Sequence, residues 1–323
     1  MNNFIEYKSA VAQYIDTINF KKEPKELYEP IGYIANLGGK RLRPILTLFA
    51  AEVFGSTVEK SLHAAVAIEL FHNFSLIHDD IMDDAPLRRG LQTVHEKWNL
   101  NTGILSGDAM LILAYQYFEN YEPHIFKDLA KLFSKTALEV CEGQQLDINF
   151  ETRSDVTIPE YLKMIEYKTA VLVGAALEMG AIVAETSESN KSEIYNFGRD
   201  LGIAFQLQDD YLDAFGDTAA FGKQIGGDIL ENKKTFLYLK ALENANDEDK
   251  QQLIKLFATK DGGQDKINQV KAIFERSNAT VEMRNLIEEY TEKGLKCLDF
   301  LDIDVKHKNE LKDFALALMQ RTV

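Results

Sequence analysis

Two clusters of aspartates have the spacing expected of metal-binding side chains. The first is Asp79-Asp80-Ile81-Met82-Asp83-Asp84, and the second is Asp209-Asp210-Tyr211-Leu212-Asp213. In both, two adjacent acids are followed by two other residues and a third acid. On a helix the first and last of these acids lie one turn apart on one face, where like charges repel unless a cation lies between them. Because carboxylate oxygens are the ligands that hard cations prefer, each cluster predicts a magnesium site.

The setting of the clusters strengthens this interpretation. The first follows an apolar run at the end of a predicted helix, where the helix macrodipole disfavours negative charge. A single cluster of this kind could equally be a solvated helix end, but a second one stands about 130 residues further along the chain. Facing helices of a bundle can hold metal ions between them. The sequence therefore predicts six metal ligands, which are Asp79, Asp80, Asp83, Asp209, Asp210 and Asp213.

Basic residues near these clusters indicate phosphorylated ligands. The segment Gly39-Lys40-Arg41-Leu42-Arg43-Pro44 places three cations at a predicted helix start, where backbone N–H groups also favour anions. Each basic residue alone is typical of a solvated surface charge. Together with two magnesium-type clusters, they predict one ligand bound through metal ions and another bound directly by Arg and Lys. The remaining basic positions are Arg88-Arg89, Lys168 beside Thr169 in a predicted helix, and Lys223, Lys233 and Lys234 after the second cluster.

Helical periodicity accounts for the elements that must position these side chains. Apolar residues recur at spacings of three and four in 59–83, and we find no strand-period alternation long enough to support a sheet. The pattern predicts one all-α domain spanning residues 1–323. The other predicted helices are 2–20, 24–37, 41–54, 103–120, 125–149, 159–185, 190–214, 234–244, 247–258, 265–277, 280–300 and 305–321.

Composition excludes several classes of protein. The 323 residues include 51 acids and 36 bases, giving a formal charge of −15, whereas a nucleic-acid partner requires a basic surface. Cys141 and Cys297 stand far apart without metal-ligand spacing, as expected of thiols in a reducing cytosol. The N-terminal segment lacks signal-peptide features, and no apolar run approaches the ~18–20 residues of a membrane span. We therefore expect a cytoplasmic protein without an integral membrane segment.

The motifs together resemble those of the trans-prenyltransferase, or polyprenyl synthetase, family of isoprenyl diphosphate synthases. The matching segments are GGKRLRP, LIHDDIMD with LRRG, the Lys168-Thr169 pair, FQLQDDYLD and the following lysine loop, in the family's order. The resemblance extends over nearly the whole chain. It implies an isoprenoid-synthase-type helical bundle around a central apolar cavity. It also implies head-to-tail condensation of isopentenyl diphosphate with a dimethylallyl, geranyl or farnesyl diphosphate.

The resemblance also implies roles for individual residues. Asp79, Asp83 and Asp209 would hold Mg²⁺, three ions in all, against the allylic diphosphate, with Lys168 and Lys223 completing the catalytic set. A homodimer is also implied. The allylic-substrate positions are Arg88, Lys168, Thr169, Gln206, Lys223 and Lys233, and the isopentenyl diphosphate positions are Lys40, Arg43, His72 and Arg89. His72, seven residues before Asp79, could otherwise be an ordinary helix residue. His78, directly before the acids, is expected to orient or pack rather than to bind.

In this chemistry, cations stabilise the negative charge that develops as the allylic C–O bond breaks. The resemblance assigns the final proton to the released diphosphate, so no catalytic triad is required. Phe74 precedes Asp79 by five residues, about 7.5 Å along a helix, and Phe71 lies a turn further away. In the family a bulky side chain at the Phe74 position stops elongation, while Ser75 leaves its own position small. These residues favour a C20 product over C15.

Three alternatives share parts of this pattern. A longer-chain polyprenyl diphosphate synthase would differ only in product length. A class I terpene cyclase has the same fold and one DDxxD motif, but it needs no isopentenyl diphosphate site, so Lys40, Arg43 and Arg89 argue against it. A non-catalytic regulatory subunit would be expected to lack some of these acids and cations, and activity of the purified chain would exclude it.

Overall fold

The helical periodicity is realised in the computed structural model, which describes residues 2–216, 225–259 and 262–320. The all-α prediction is confirmed, and most predicted helix ends agree within three residues. The helices are α1 (Asn2–Thr17), α2 (Lys25–Asn36), α3 (Leu42–Val53), α4 (Val58–Met82), α5 (Val94–Lys97), α6 (Leu100–Phe118), α7 (Pro123–Thr152), α8 (Ile158–Ile165), α9 (Val171–Val183), α10 (Glu188–Phe215), α11 (Gly227–Leu230), α12 (Phe236–Asn244), α13 (Asp247–Phe257), α14 (Gly263–Arg276), α15 (Ala279–Cys297) and α16 (Val305–Met319).

Several short elements were not predicted from the sequence, among them the helices α5 and α11. Strand β1 (Leu87–Arg88) pairs antiparallel with β2 (Leu91–Gln92), so that Arg88 lies opposite Leu91. Strands of two residues are too short to produce a readable alternation. A 3₁₀ turn follows α15 at Leu298–Phe300. Between α8 and α9, within the segment predicted as one helix, Glu166–Ala170 forms a π-helical turn.

The chain divides into two compact units, and the boundary between them falls within α7, α9 and α10. A single domain over 1–323 remains a prediction. The first unit comprises Met1–Ser134 and Ala176–Ser192. Its centre is α4, which is buried along most of its length because it is apolar on nearly every side between Ala64 and Ile77. Helix α6 packs closely on α4, since Gly107 leaves room for the His78 ring.

The second unit comprises Lys135–Ala175 and Glu193–Val323. Helix α8 begins at a capping box in which Thr157 accepts from the Glu160 N–H and the Glu160 side chain accepts from the Thr157 N–H. The core of this unit is formed by apolar residues including Phe150, Tyr161, Ile165, Leu207, Phe236, Leu237, Phe274 and Met283. In the described parts of the chain, no helix has the length and apolar character needed to cross a membrane.

Candidate functional site

The first aspartate cluster lies at the C-terminal end of α4, as predicted. Arg88, presented by β1, donates through Nε to both carboxylate oxygens of Asp80 at 2.8 Å. Its Nη2 lies 2.6 Å from Asp80 Oδ1 and 3.6 Å from Asp79 Oδ2. Burial raises the pKa of Asp80, and the Arg88 hydrogen bonds and charge act in the opposite direction. The hairpin therefore fixes a cation against the cluster, and the oxygens of Asp80 are occupied by that cation.

A cluster of arginines surrounds one buried carboxylate in the first unit. Glu69, in the mostly apolar middle of α4, is 3% exposed. Burial raises the pKa of Glu69, while the charges of Arg41, Arg43 and Arg89 lower it. Arg43 Nη1 lies 3.2 Å from His72 Nε2. We call these five residues the arginine cluster. With one carboxylate facing three guanidinium groups, the cluster carries an excess of positive charge.

Two donors and one acceptor in the arginine cluster have no hydrogen-bond partner. Arg41 Nη1, Arg43 Nε and Glu69 Oε2 are buried and lack partners within the part of the chain that the structure describes. Burial and the charges of Arg43, Arg89 and Arg88 hold the pKa of His72 well below its ordinary value, so its imidazole is neutral and accepts from Arg43. Unsatisfied buried N–H groups of charged side chains are costly, and an anion bound among them would satisfy them.

A backbone constraint positions Arg89. Its guanidinium donates to the Gly38 carbonyl and lies against Gly39, where an added Cβ would be 2.6 Å from Arg89 Cζ. Gly39 has φ of 126°, a conformation that also favours glycine. The GGKRLRP segment thus holds Arg89 in place as well as supplying cations. Lys40, the remaining predicted residue of this group, is exposed beside it.

Phe74 and Phe71 belong to a continuous run of rings below the first aspartate cluster. The ring centroids of Phe71 and Phe74 are 5.4 Å apart, and Phe74 contacts His78 at 4.9 Å. Phe71 in turn contacts Phe133 at 5.1 Å. His78 packs against Gly107 and Phe74, as predicted. Ser75 donates to the His72 carbonyl at 2.8 Å within its own helix.

The second unit contains a cavity of about 760 Å³ with charged and apolar walls. We call it the charged cavity. It brings together most of the residues predicted for the allylic substrate. Lys223 lies outside the described residues. The predicted residues that line the cavity are Lys168, Thr169, Gln206, Lys233, Lys234, Asp209, Asp210 and Asp213. Charged residues in its wall that were not predicted are Asp147, Glu151, Arg153, Asp228 and Glu231.

A hydrogen-bonded chain runs along one wall of the charged cavity. Thr169 Oγ1 donates to Gln206 Oε1 at 3.1 Å, and Gln206 Nε2 donates to Asp210 Oδ1 at 2.8 Å. The buried Tyr161 hydroxyl donates to the other oxygen, Asp210 Oδ2, at 2.5 Å. Both oxygens of Asp210 are therefore used within the protein, and the chain fixes the orientation of Gln206 and Thr169.

Ion pairs hold the other cavity side chains. Lys168 Nζ donates to Asp147 Oδ2 at 2.6 Å. Burial lowers the pKa of Lys233, but the charges of Asp228 and Glu231 raise it by a larger amount. The net shift of the Lys233 pKa is therefore upward. These contacts hold Lys168 and Lys233 in place at the cavity wall.

Two further contacts anchor the loop after the second cluster. Asp213 Oδ2 accepts from the backbone N–H of Asp228 at 3.0 Å. Lys234 Nζ donates to the carbonyls of Phe150 at 2.5 Å and Glu151 at 3.0 Å, where α7 ends. Lys234 thus caps a helix C-terminus, a structural role that the sequence did not reveal.

The π turn that carries Lys168 and Thr169 is enclosed by two close helix approaches. A Cβ at Gly143 would lie 2.3 Å from the Lys168 backbone nitrogen, and a Cβ at Gly202 would lie 2.7 Å from Ala170 Cα. π turns are often found at functional positions, where they redirect side chains. The Lys168-Thr169 pair, which lies within the predicted helix 159–185, is therefore carried by a π turn.

The donor set of the charged cavity fits a hard divalent cation. Burial, followed by the charge of Asp228, raises the pKa of Asp210 to about 8. The shift reflects burial of Asp210 first and the neighbouring carboxylate second, and a bound cation would favour the ionised form of Asp210. In the part of the chain that the structure describes, the three metal-type ligand atoms that lie within 4.8 Å of one another belong instead to Asp84, His95 and Glu96. The carboxylates of the two predicted clusters are less tightly gathered.

Sequence reasoning missed several residues that the structure links to the site. Arg41 was noted only as a cation, and Glu69 lies within the predicted helix 59–83 but was not singled out. A glutamate on a predicted buried face was a usable signal for Glu69, because buried carboxylates require partners. Nothing in the spacing of Asp147 or Tyr161 indicated a contact with Lys168 or Asp210.

Comparison with known proteins gives consistent matches over most of the chain. The sequence model of the polyprenyl synthetase family matches residues 24–275. A geranylgeranyl diphosphate synthase of Methanosarcina mazei is 39% identical, covering 91% of this chain and 89% of the relative. A geranylfarnesyl diphosphate synthase of Natronomonas pharaonis is also 39% identical, covering 74% and 78%. A crystal structure of a geranylgeranyl pyrophosphate synthase is 51% identical with a TM-score of 0.95, covering 99% of both chains.

Proposed function

Because the chain belongs to the polyprenyl synthetase family, we propose that it condenses isopentenyl diphosphate head-to-tail with an allylic diphosphate, yielding a linear all-trans prenyl diphosphate of 20 carbons. The family assignment confirms the resemblance and makes the chain a trans-prenyltransferase. The observation that carries the proposal is the arginine cluster, with buried donors Arg41 Nη1 and Arg43 Nε awaiting an anion. A direct anion site in addition to two aspartate clusters matches a reaction of two diphosphates.

For the allylic substrate we assign binding to the aspartates and to the lysine side of the charged cavity. Asp79, Asp83 and Asp209 are the proposed Mg²⁺ ligands, and three ions are expected. Bound Mg²⁺ would stabilise the diphosphate as a leaving group. Lys168 and Lys233 contribute fixed positive charge to the same diphosphate. The contacts of Asp80 with Arg88 and of Asp210 with Tyr161 and Gln206 support positioning roles for these two acids.

For isopentenyl diphosphate we assign direct binding to Arg43, Arg89, Lys40 and the neutral His72. Guanidinium groups bind diphosphate oxygens through several N–H groups at once. Glu69 balances part of the cluster's charge and restrains the arginines. Contacts of Arg43 with His72 and of Arg89 with the Gly38 carbonyl hold these side chains in place. Little side-chain ordering is therefore required when the substrate binds.

The proposed reaction requires no protein nucleophile. The allylic C–O bond breaks, the alkene of isopentenyl diphosphate forms the new C–C bond, and the released diphosphate takes the proton that is lost. The chain's contribution is to hold both diphosphates, stabilise the departing charge and exclude water from the carbocation.

Exposed apolar residues on α6, including Leu100, Ile104, Leu105 and Ile112, support the proposed homodimer.

The aromatic run predicts which residue limits product length. Replacing Phe74 with alanine should lengthen the main product by at least one five-carbon unit, because it removes a buried ring at the position that the family resemblance assigns to stopping elongation. Product masses from wild type and variant would measure this. Phe274→Ala is the matched control, since Phe274 is a buried ring in the core of the second unit, whereas Phe74 belongs to the first unit. An unchanged product distribution in Phe74→Ala would remove Phe74 from the account.

The packing of the π turn predicts a second effect. Replacing Gly143 with alanine would force a Cβ against the backbone of Lys168, so the turn must shift. A displacement of about 1 Å at a positioned group can cost about 100-fold in rate. We expect kcat/KM for the allylic substrate to fall by about that factor. Gly294→Ala in α15 is the control, because its nearest contact would be an ordinary 3.4 Å. Equal activity of the two variants would contradict the proposed role of the turn.

Consumption of both substrates by the purified chain tests the reaction class. With Mg²⁺, isopentenyl diphosphate should be consumed only when a dimethylallyl, geranyl or farnesyl diphosphate is present, and EDTA should stop the reaction. Release of diphosphate from the allylic substrate without consumption of isopentenyl diphosphate would indicate a cyclase. No turnover with any primer would favour the regulatory-subunit alternative.

A further inference from the structure

Three side chains outside the proposed roles bring metal-type ligand atoms together. One atom each from Asp84, His95 and Glu96 lies within 4.8 Å of the other two. Asp84 is the last acid of the first cluster and follows α4, whereas His95 and Glu96 lie on α5. Asp84 and Glu96 are exposed, and His95 is partly buried as a residue. Two exposed acids alone would carry little information, so the histidine is the important member of the group.

His95 presents buried nitrogen atoms with no hydrogen-bond partner. Its side chain is only 8% exposed. Both Nδ1 and Nε2 are inaccessible to solvent and have no hydrogen-bond partner within the described ranges. The Glu96 oxygen lies 3.9 Å from Nε2, which exceeds hydrogen-bond length. Leaving buried polar atoms unsatisfied is costly, so a buried imidazole directed between two carboxylates needs an additional partner.

We propose that Asp84, His95 and Glu96 bind a divalent transition-metal ion, with Zn²⁺ as the representative ion. An imidazole nitrogen with two carboxylates suits such ions, whereas Mg²⁺ prefers oxygen ligands alone. Zn²⁺ bonds of about 2.0–2.1 Å require ligand atoms roughly 3.4 Å apart, so the group must contract slightly. Because the Asp84 and Glu96 side chains are exposed, they can rotate to make this change.

The site would fasten the base of the β-hairpin. The chain leaves α4 through Asp84, forms β1 and β2, and reaches His95 immediately afterwards. The two ends of this segment are already joined next to the site, since Thr93 Oγ1 donates to the Ala85 carbonyl at 2.8 Å. A bound ion would add a second link between them. The hairpin that they enclose carries Arg88, so metal binding restrains the segment that contacts Asp80. The inference stands independently of the proposed reaction.

Zinc binding to the full chain, without any diphosphate, tests the proposal. Chelator-treated wild type and Asp84→Asn would be titrated with Zn²⁺ in competition with a chromophoric chelator, and thermal unfolding would be followed with and without Zn²⁺. We expect wild type to bind one more tight equivalent of Zn²⁺ than Asp84→Asn does. The affinity of this site should be at least tenfold lower in Asp84→Asn. The unfolding midpoint should rise with Zn²⁺ in wild type and not in the variant, because only the wild-type native state gains the ligand.

Further variants separate this site from others. Glu96→Gln should reproduce the loss, since Glu96 is a second exposed ligand. His124→Gln should bind as wild type does, because His124 is an exposed histidine paired with Glu185 elsewhere in the first unit. Asn tolerates the positive φ of 50° at position 84, so Asp84→Asn should fold. Equal zinc stoichiometry and affinity in wild type, Asp84→Asn and Glu96→Gln would overturn the proposal.

Discussion

Replacing Arg43 with methionine should raise the KM for isopentenyl diphosphate by about 10- to 100-fold and change the KM for the allylic substrate little. Burial lowers the pKa of Arg43 to about 10, and Glu69 opposes the shift, so the side chain is charged at neutral pH. Hydrogen bonds to charged groups contribute about 1.5–3 kcal/mol, which corresponds to this range of affinity. Initial rates with each substrate varied separately would measure the effect.

Methionine retains much of the length and apolar stem of arginine, so the main change is loss of the guanidinium. Lys8→Met removes a positive charge from an exposed position on α1 and serves as the control. The control should leave both KM values unchanged. If Arg43→Met raised both KM values equally, or neither, Arg43 would not be a specific contact of isopentenyl diphosphate.

Replacing Asp79 with asparagine should lower kcat by about 1,000-fold at saturating substrates. The change keeps the shape of the side chain but removes the charge of a proposed Mg²⁺ ligand, and loss of one group that stabilises developing charge costs about 100- to 1,000-fold. Titration with Mg²⁺ should also show a higher concentration for half-maximal activity. Asp16→Asn, an exposed acid on α1, is the control and should be unaffected. A kcat within tenfold of wild type would exclude Asp79 as an essential ligand.

Most of the architecture could be predicted from the sequence because long helices repeat their apolar positions many times. Helix α4 was predicted as 59–83 and spans Val58–Met82. The π turn at Glu166–Ala170 could not be predicted as such. Its form depends on close approach by the helices that contain Gly143 and Gly202, which are distant in sequence. The hairpin was missed because its strands have only two residues each.

The candidate site was predictable in composition but not in the division of roles. Asp79 and Asp80 are adjacent acids of one cluster, yet Asp80 alone has both oxygens bound by Arg88. Spacing cannot reveal that distinction, because it depends on where the hairpin places Arg88. The same is true of Asp210, whose partner Tyr161 lies 49 residues earlier in the chain.

Product length is the finest element of the account. A geranylgeranyl and a geranylfarnesyl diphosphate synthase are each 39% identical to this chain, and a solved geranylgeranyl pyrophosphate synthase is 51% identical. Overall similarity therefore favours C20 over C25 without identifying the residues that stop elongation. The distinction must arise from a few side chains along the path of the growing chain. Phe74 and Phe71 are the residues to which the structure and the sequence both direct attention.

Condensation to a C20 product is tested by the mass of the diphosphate that the purified chain forms from farnesyl and isopentenyl diphosphates. We expect a C20 diphosphate that forms with Mg²⁺ and is absent with EDTA. Longer products would support the condensation but contradict the proposal that Phe74 stops elongation at C20. Absence of any elongated diphosphate, with farnesyl, geranyl or dimethylallyl primers alike, would contradict the proposed reaction itself.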